Sequence, residues 1–182
     1  MEEMFFCPSC MAKAAPVDGK CPVCGHDVNI ENAPHQLPVN TILNGRYIIG
    51  RVLGAGGFGI TYIGYDLKLD GKVAVKEYYP SGAANRSSSL TVFPTTEVNG
   101  NPFEIGKTRF LKEARTLSEI VGEGNIVALR DYFEEYGTAY IVMEYLEGED
   151  LSHYAKEHGV LELDESPEAR KAAKARQSGG GK

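Results

Sequence analysis

Four cysteines near the start of the chain have the residue type and spacing of a metal site. Cys7 and Cys10 form one C-x2-C pair, and Cys21 and Cys24 form a second pair after a ten-residue spacer. Each such turn aims two thiolates at one point, and zinc is held by four thiolates in closed structural sites. Iron bound by the same thiolates, and free or disulfide-paired cysteines, are the alternatives. Because about 30 residues bury too little surface to fold alone, we predict a structural four-cysteine zinc ribbon over residues 1–30 whose metal supplies the folding energy.

A glycine-rich stretch from Leu53 to Gly59 contains the pattern G-x-G-x-x-G. Glycines let a backbone approach phosphate closely, and backbone N–H groups can face the anion. In a dinucleotide-binding fold this pattern lies between a strand and a helix. Here it is followed by Ile60-Thr61-Tyr62-Ile63, which has the composition of a strand. The stretch therefore predicts a strand–loop–strand unit that covers the phosphates of a nucleotide.

A lysine and a glutamate stand where such a loop would need them. Lys76 ends the apolar run Val73-Ala74-Val75 and matches the V-A-I-K pattern, whose lysine contacts the α- and β-phosphates. Glu113 lies on the next predicted helix, on the same face as Leu117. It is the candidate to hold Lys76, and Glu119 is a rival that we expect to face solvent. Removing one partner of a buried ion pair leaves the other charge uncompensated. We therefore expect Lys76 and Glu113 to be required together.

With these motifs in place, residues 41–160 resemble the N-terminal lobe of bacterial serine/threonine protein kinases. The stretch from Lys76 to Gly82 also resembles a bacterial subgroup that carries a zinc ribbon in front. Asn125-Ile126-Val127 matches the start of the fourth strand in that family. The resemblance implies that Leu117 and Leu129 belong to the regulatory spine.

The resemblance also implies an ATP site. Met143 would be the gatekeeper, and Glu144 and Leu146 would bind adenine through their backbones. Thr61 departs from the family pattern, because many kinases place valine there above the adenine. Lys76 and Glu113 would form the catalytic pair. The residues implied to bind ATP are Leu53, Gly54, Ala55, Gly56, Gly57, Phe58, Gly59, Thr61, Ala74, Lys76, Met143, Glu144 and Leu146.

An α+β fold must position these residues. Alternating apolar residues predict a five-stranded antiparallel sheet, and Asp70-Gly71 and Glu135-Tyr136-Gly137 predict two of its turns. Apolar residues at helical spacing predict one main helix. A short hairpin is predicted around Leu90–Phe93 and a short helix at Asp150–His158. The predicted strands are Arg46–Leu53, Ile60–Asp66, Lys72–Tyr78, Val127–Phe133 and Ala139–Tyr145, and the main helix is Arg109–Val121.

Composition and charge restrict the classes of partner and the cellular compartment that we expect. The 182 residues include 25 acidic and 19 basic ones, and the net charge of −6 disfavours a nucleic-acid partner. No apolar run approaches the ~20 residues that span a bilayer, and the start lacks the parts of a signal peptide. We therefore expect a cytoplasmic chain. Prolines among polar residues predict a linker at 31–40, and the basic stretch 161–182 with its glycine-rich end predicts a flexible tail.

Two motifs of a complete kinase do not occur in the sequence. They are the catalytic loop H-R-D-L-x-x-x-N, which supplies the base, and D-F-G, which holds magnesium. The string Leu129-Arg130-Asp131 lies in a predicted strand, so we reject it as a catalytic loop. We expect the ATP-binding half of a serine/threonine kinase, with magnesium bound only together with the absent lobe and no catalysis by this chain alone. The alternative is a non-catalytic nucleotide-sensing or protein-binding module that acts on a partner through its ribbon and lobe.

Overall fold

The structure, a computed structural model, describes residues 5–96, 101–119, 127–148 and 156. The chain divides into two units, Met1–Leu146 and Glu147–Lys182, and every element named here lies in the first. The predicted helix end at Val121, the predicted tail 161–182 and, apart from Lys156, the predicted short helix lie outside the described residues. The elements are β1 Ile42–Leu43, β2 Tyr47–Gly56, β3 Gly59–Asp66, β4 Gly71–Tyr78, β5 Ala84–Arg86, β6 Val92–Pro94, α1 Pro102–Glu119, β7 Leu129–Glu135 and β8 Thr138–Glu144.

Six strands form one antiparallel sheet in the order β1-β2-β3-β4-β8-β7. Five of them are the predicted strands, so the α+β fold with its antiparallel sheet and one main helix is confirmed. The short strand β1 is an addition at one edge. Strands β5 and β6 form a separate hairpin between β4 and α1. The turn from β7 to β8 uses Tyr136 and Gly137 at φ angles of 48° and 73°, the conformation of a two-residue hairpin turn.

Helix α1 begins at Pro102, not at the predicted Arg109. Proline suits the first helical position because the N–H that it lacks would have no partner there. The side-chain oxygen of Asn101 accepts a hydrogen bond from the N–H of Glu104 at 3.3 Å and so caps the helix. Among the described residues, no helix is both long enough and apolar enough to span a bilayer.

The helix joins the sheet at the end of β4. There the ring of Tyr78 packs against Phe103 and Phe110 of α1, with ring centroids 5.2 and 5.6 Å apart. Gly106 allows this close contact, because a Cβ at that position would lie 2.0 Å from the Tyr78 hydroxyl oxygen. The position of α1 therefore depends on how its first two turns fit against Tyr78.

A second, smaller core joins the cysteine-bearing segment to the sheet. Phe6 and Met11 are buried against three residues of β2 and β3, namely Ile48, Ile63 and Tyr65. The rings of Phe6 and Tyr65 lie 4.8 Å apart between centroids. The ribbon segment is thus packed on the sheet.

The segment 31–40, predicted as a linker, also contributes to the main core. Leu37 is fully buried, and its backbone N–H donates to the hydroxyl oxygen of Tyr62 at 3.0 Å. The side-chain amide of Asn32 donates to the carbonyl oxygens of Leu37 and Gly50 at 2.8 and 3.0 Å. These contacts fix the segment along the side of the lobe.

Candidate nucleotide site and metal centre

The four cysteines meet at one point, as predicted. All four sulfur atoms lie within 4.8 Å of one another, with Cys7 3.7 Å from Cys24 and Cys10 3.8 Å from Cys21. A tetrahedron with zinc–sulfur bonds of about 2.3 Å has sulfur–sulfur edges of about 3.8 Å. The donor set and its spacing therefore fit a structural zinc ion with no open coordination position.

The two C-x2-C turns have the same backbone geometry. In the first, the N–H of Met11 donates to the carbonyl of Cys7 at 2.9 Å; in the second, the N–H of Gly25 donates to the carbonyl of Cys21 at 2.8 Å. Met11 and Gly25 both take positive φ angles, 58° and 72°. The turns differ in their surroundings, because Met11 is buried against the sheet whereas Val23 of the second turn is 68% exposed.

The glycine loop is the hairpin between β2 and β3. A Cβ placed on Gly54, Gly56 or Gly57 would meet no protein atom within 4 Å, and none of these residues has a positive φ. Neither packing nor backbone strain within this chain requires glycine at these positions. Glycine there leaves open space in which a ligand can approach the backbone. Gly59 differs, because its Cβ would lie 2.3 Å from the carbonyl oxygen of Glu77.

The tip of the loop is tied to the segment that follows β4. The carbonyl of Gly57 accepts a hydrogen bond from the N–H of Ser81 at 3.0 Å, and that of Phe58 accepts one from the N–H of Tyr79 at 3.4 Å. The Phe58 ring itself is 79% exposed. These bonds hold the tip in a fixed place beside the end of β4.

Strand register brings four of the predicted ATP-binding residues onto one face of the sheet. Thr61 of β3 stands opposite Lys76 of β4, and Ala74 of β4 stands opposite Met143 of β8. Residues directly opposite each other share a face, as do residues two apart along one strand. Thr61, Ala74, Lys76 and Met143 therefore face the same side.

Lys76 and Glu113 do not form an ion pair among the described residues. The Lys76 ammonium lies 5.7 Å from the centroid of the Phe110 ring instead. Glu113 is exposed and lines a cleft of about 590 Å³ together with Gly57, Phe58 and Arg109. The structure thus brings Glu113 to the tip of the glycine loop, one helical turn away from the residue that covers Lys76.

The residues predicted at the adenine end lie at the margins of the lobe. Leu53 is 37% exposed and Leu146 is 63% exposed. The N–H of Glu144 donates to the carbonyl of Ala128 at 3.0 Å and is therefore engaged within the lobe. Leu129 stands opposite Met143 in the sheet and packs against the main core.

Behind this face lies a buried charged cluster that motif reasoning missed. The Glu77 carboxylate accepts hydrogen bonds from the Arg86 guanidinium at 2.7 Å, and from the hydroxyls of Tyr62 and Tyr140 at 2.8 Å each. Arg86 also donates to the carbonyl of His35 at 3.0 Å. The cluster joins β3, β4, β5, β8 and the segment 31–40.

Burial and charge act together in this cluster. Burial, with the neighbouring charge of Glu77, raises the pKa of both Tyr62 and Tyr140 above the ordinary value. Burial alone would lower the pKa of Arg86, but the Glu77 carboxylate outweighs it and the pKa is raised. A strand period of two puts Glu77 on the buried face with Val73 and Val75, and that was the available sequence signal.

Comparison with known proteins agrees with this geometry. The family model "Protein kinase domain" matches residues 47–175. Serine/threonine-protein kinase B of Synechocystis sp. is 33% identical over 144 residues, which are 77% of this chain and 22% of that protein. Serine/threonine-protein kinase PrkC of Bacillus subtilis is 35% identical over 124 residues, or 68% of this chain and 16% of that protein.

A solved structure described as "PpkA-294 apo form" has the same fold. It is 32% identical, superposes with a TM-score of 0.63, and is matched over 68% of this chain and 43% of that chain. The chain spans about a fifth of the length of the curated relatives named above. The family model covers more than half of this chain and includes strands β2 to β8 and helix α1. The chain therefore belongs to the protein kinase family, and bacterial serine/threonine protein kinases are among its relatives.

Proposed function

We propose that this chain binds ATP as the nucleotide-binding lobe of a serine/threonine protein kinase. In the complete enzyme the γ-phosphoryl group of ATP would pass to a serine or threonine hydroxyl of a protein substrate. The observation that carries the proposal is the common face of Thr61, Ala74, Lys76 and Met143 beside a glycine loop. Adenine would lie against Ala74 and Met143, and the phosphates would lie beneath the loop.

Lys76 would supply the positive charge of the site. Its ammonium has no hydrogen bond or ion pair with a described residue and lies near the ring of Phe110, so its charge is available to the α- and β-phosphates. Phosphoryl transfer depends chiefly on positioning and electrostatic stabilisation, which is the contribution that Lys76 and Glu113 would make. Magnesium, when bound, neutralises charge on the β- and γ-phosphate oxygens. The motifs that would ligate it do not occur in this sequence.

For the ribbon we propose a structural zinc ion held by Cys7, Cys10, Cys21 and Cys24. Four thiolates at the spacing of a zinc tetrahedron support this choice. None of the four cysteines forms a disulfide bond, which suits a reducing compartment. We therefore propose that the protein is located in the cytoplasm.

The test of nucleotide binding is a calorimetric titration of the zinc-loaded chain with ATP, with and without magnesium. We expect binding by the wild-type chain and a loss of about tenfold or more in affinity for Lys76→Ala, equivalent to about 1.4 kcal/mol. Lys68→Ala is the matched control, because Lys68 is an exposed lysine in the turn between β3 and β4. It removes the same charge away from the proposed site and should leave the affinity unchanged.

The outcomes separate the parts of the proposal. Absence of binding at millimolar ATP would refute the nucleotide site. Equal losses for Lys76→Ala and Lys68→Ala would show a general charge effect and remove Lys76 from the site. Phosphate transfer to a generic protein substrate is expected to be absent. Transfer that persists through chromatography and is abolished by Lys76→Ala would overturn the expected need for the missing motifs.

A further inference from the structure

Strand β2 loses its regular pairing just before the glycine loop. Its register with β3 shifts between Ile49 and Val52, and again between Val52 and Gly54. Backbone groups in this stretch therefore need partners from outside the sheet. The irregular stretch is Gly50–Val52, and it leads directly into Leu53 and the loop.

The partners come from the ribbon and the segment behind it. The N–H of Arg51 donates to the carbonyl of Pro8 at 2.7 Å. The side-chain oxygen of Asn32 accepts from the N–H of Val52 at 3.3 Å, and its amide donates to the carbonyl of Gly50 at 3.0 Å. Three consecutive residues of β2 are thus held by two residues that precede the lobe.

The ribbon approaches β2 as closely as glycine permits. A Cβ on Gly50 would lie 2.3 Å from the carbonyl oxygen of Pro8, 2.0 Å from the end of the Met11 side chain and 2.9 Å from Ile63. The Met11 side chain could move aside, but the Pro8 carbonyl belongs to the backbone of the first C-x2-C turn. Glycine at position 50 is therefore needed for this contact.

Pro8 lies between two of the metal ligands, Cys7 and Cys10. Its carbonyl belongs to a turn whose two ends, Cys7 and Cys10, would hold the proposed metal, so its position should depend on metal binding. The second C-x2-C turn, with the exposed Val23, has no corresponding contact among those that hold β2. The first C-x2-C turn of the ribbon is thus the one that contacts β2.

We infer that the metal-loaded first turn of the ribbon, together with Asn32, positions the strand that leads into the glycine loop. Metal binding by the ribbon then sets how well the loop is ordered and how tightly the lobe holds a nucleotide. The statement about nucleotide affinity rests on the proposed function, whereas the statement about loop order does not. Asn32 and Gly50 are positioning residues in this scheme.

The direct test is hydrogen–deuterium exchange of the amides from Arg51 to Gly59 in the whole chain. We compare the zinc-loaded protein, the protein after chelation, and the zinc-loaded variants Asn32→Ala and Gly50→Ala. We expect exchange at Arg51 and Val52 to rise at least tenfold in all three perturbed proteins and to rise less through the loop. In the same samples the affinity for ATP should fall about tenfold.

Asn29→Ala is the matched control, because Asn29 is also in the region before the lobe and its side chain bonds to Asp27. It should change neither exchange nor affinity. Unchanged exchange at Arg51–Gly59 after chelation, or in both Asn32→Ala and Gly50→Ala, would overturn the inference. So would equal acceleration at Val75 in the centre of the sheet, because that would mean general unfolding. If no sample binds ATP, the proposed function fails, while the exchange data still decide the role of the ribbon.

Discussion

Replacing the buried carboxylate of Glu77 by an amide perturbs the charged cluster behind the proposed nucleotide face. Glu77 and Arg86 have side-chain exposures of 0% and 1%. Water therefore cannot solvate the charge that remains when its partner is removed. We consider Glu77→Gln, Arg86→Met and the double variant. Each single change leaves one buried charge without its partner, and the double change removes both charges.

The expected magnitudes follow from the contacts. Breaking a buried ion pair by removing one partner costs about 3–5 kcal/mol. Glu77→Gln should lie near the lower end, because glutamine keeps the size of the side chain and its one oxygen still accepts from one of the two hydroxyls, which donate to different carboxylate oxygens. Arg86→Met should lie near the upper end, because it also leaves the carbonyl of His35 without its donor. The double variant should cost about 2–3 kcal/mol less than the sum of the two single costs.

The assay is urea unfolding of the zinc-loaded chain followed by circular dichroism, with the free energy of unfolding obtained by linear extrapolation. Glu31→Gln, at an exposed glutamate, is the control and should cost less than about 0.5 kcal/mol. A cost below about 1 kcal/mol for Glu77→Gln would contradict the closed, buried cluster. Additive costs within about 0.5 kcal/mol would show that the two charges are not coupled.

Two further predictions concern helix α1 and the end of strand β3. Gly106→Ala should destabilise the lobe by about 1–3 kcal/mol, because the new Cβ overlaps the hydroxyl of Tyr78. Tyr78→Phe in the same chain should restore part of the melting temperature, and no restoration would place the strain elsewhere. Burial disfavours ionisation of Asp66, but hydrogen bonds from Arg46 and two backbone amides outweigh it and hold the pKa of Asp66 below its usual 3.8. The stability that this carboxylate contributes is therefore complete above pH ~4 and is lost as the pH falls further. The gap in free energy of unfolding between wild type and Asp66→Asn should be constant from pH 5 to 7 and shrink below pH 4, and a constant gap down to pH 2 would contradict the assignment.

The sheet and the glycine loop were predictable because their signals are local. Alternating apolar residues mark the strands, and the pair Tyr136-Gly137 marks a hairpin turn whose geometry the structure has. The pattern G-x-G-x-x-G and the run that ends in Lys76 lie on adjacent strands, so spacing alone brings them together. The start of α1 was also present in the sequence, since Asn101-Pro102 is a cap followed by a proline at the first helical position.

The remaining features depend on packing between distant segments. Which side of α1 faces Lys76 is set by the fit of Phe103 and Gly106 against Tyr78, and helical spacing carries no information on that rotation. Arg86 lies in a polar excursion that the pattern predicts only as a loop with a short hairpin. Its partner cannot be identified from the local sequence, because the cluster forms only when five segments meet in the folded chain.

The segment 31–40 has a consequence for how this protein could be divided or recombined. The change of composition near residue 41 suggests a domain boundary there, but truncation at that point would remove Leu37 from the core. It would also leave Arg86 without one hydrogen-bond acceptor and Tyr62 without one donor. A ribbon grafted in front of another kinase lobe would in turn need a tyrosine and an arginine placed to receive this segment. We therefore expect the ribbon, the segment and the lobe to be exchanged between proteins as one piece, with any natural crossover falling before the cysteines.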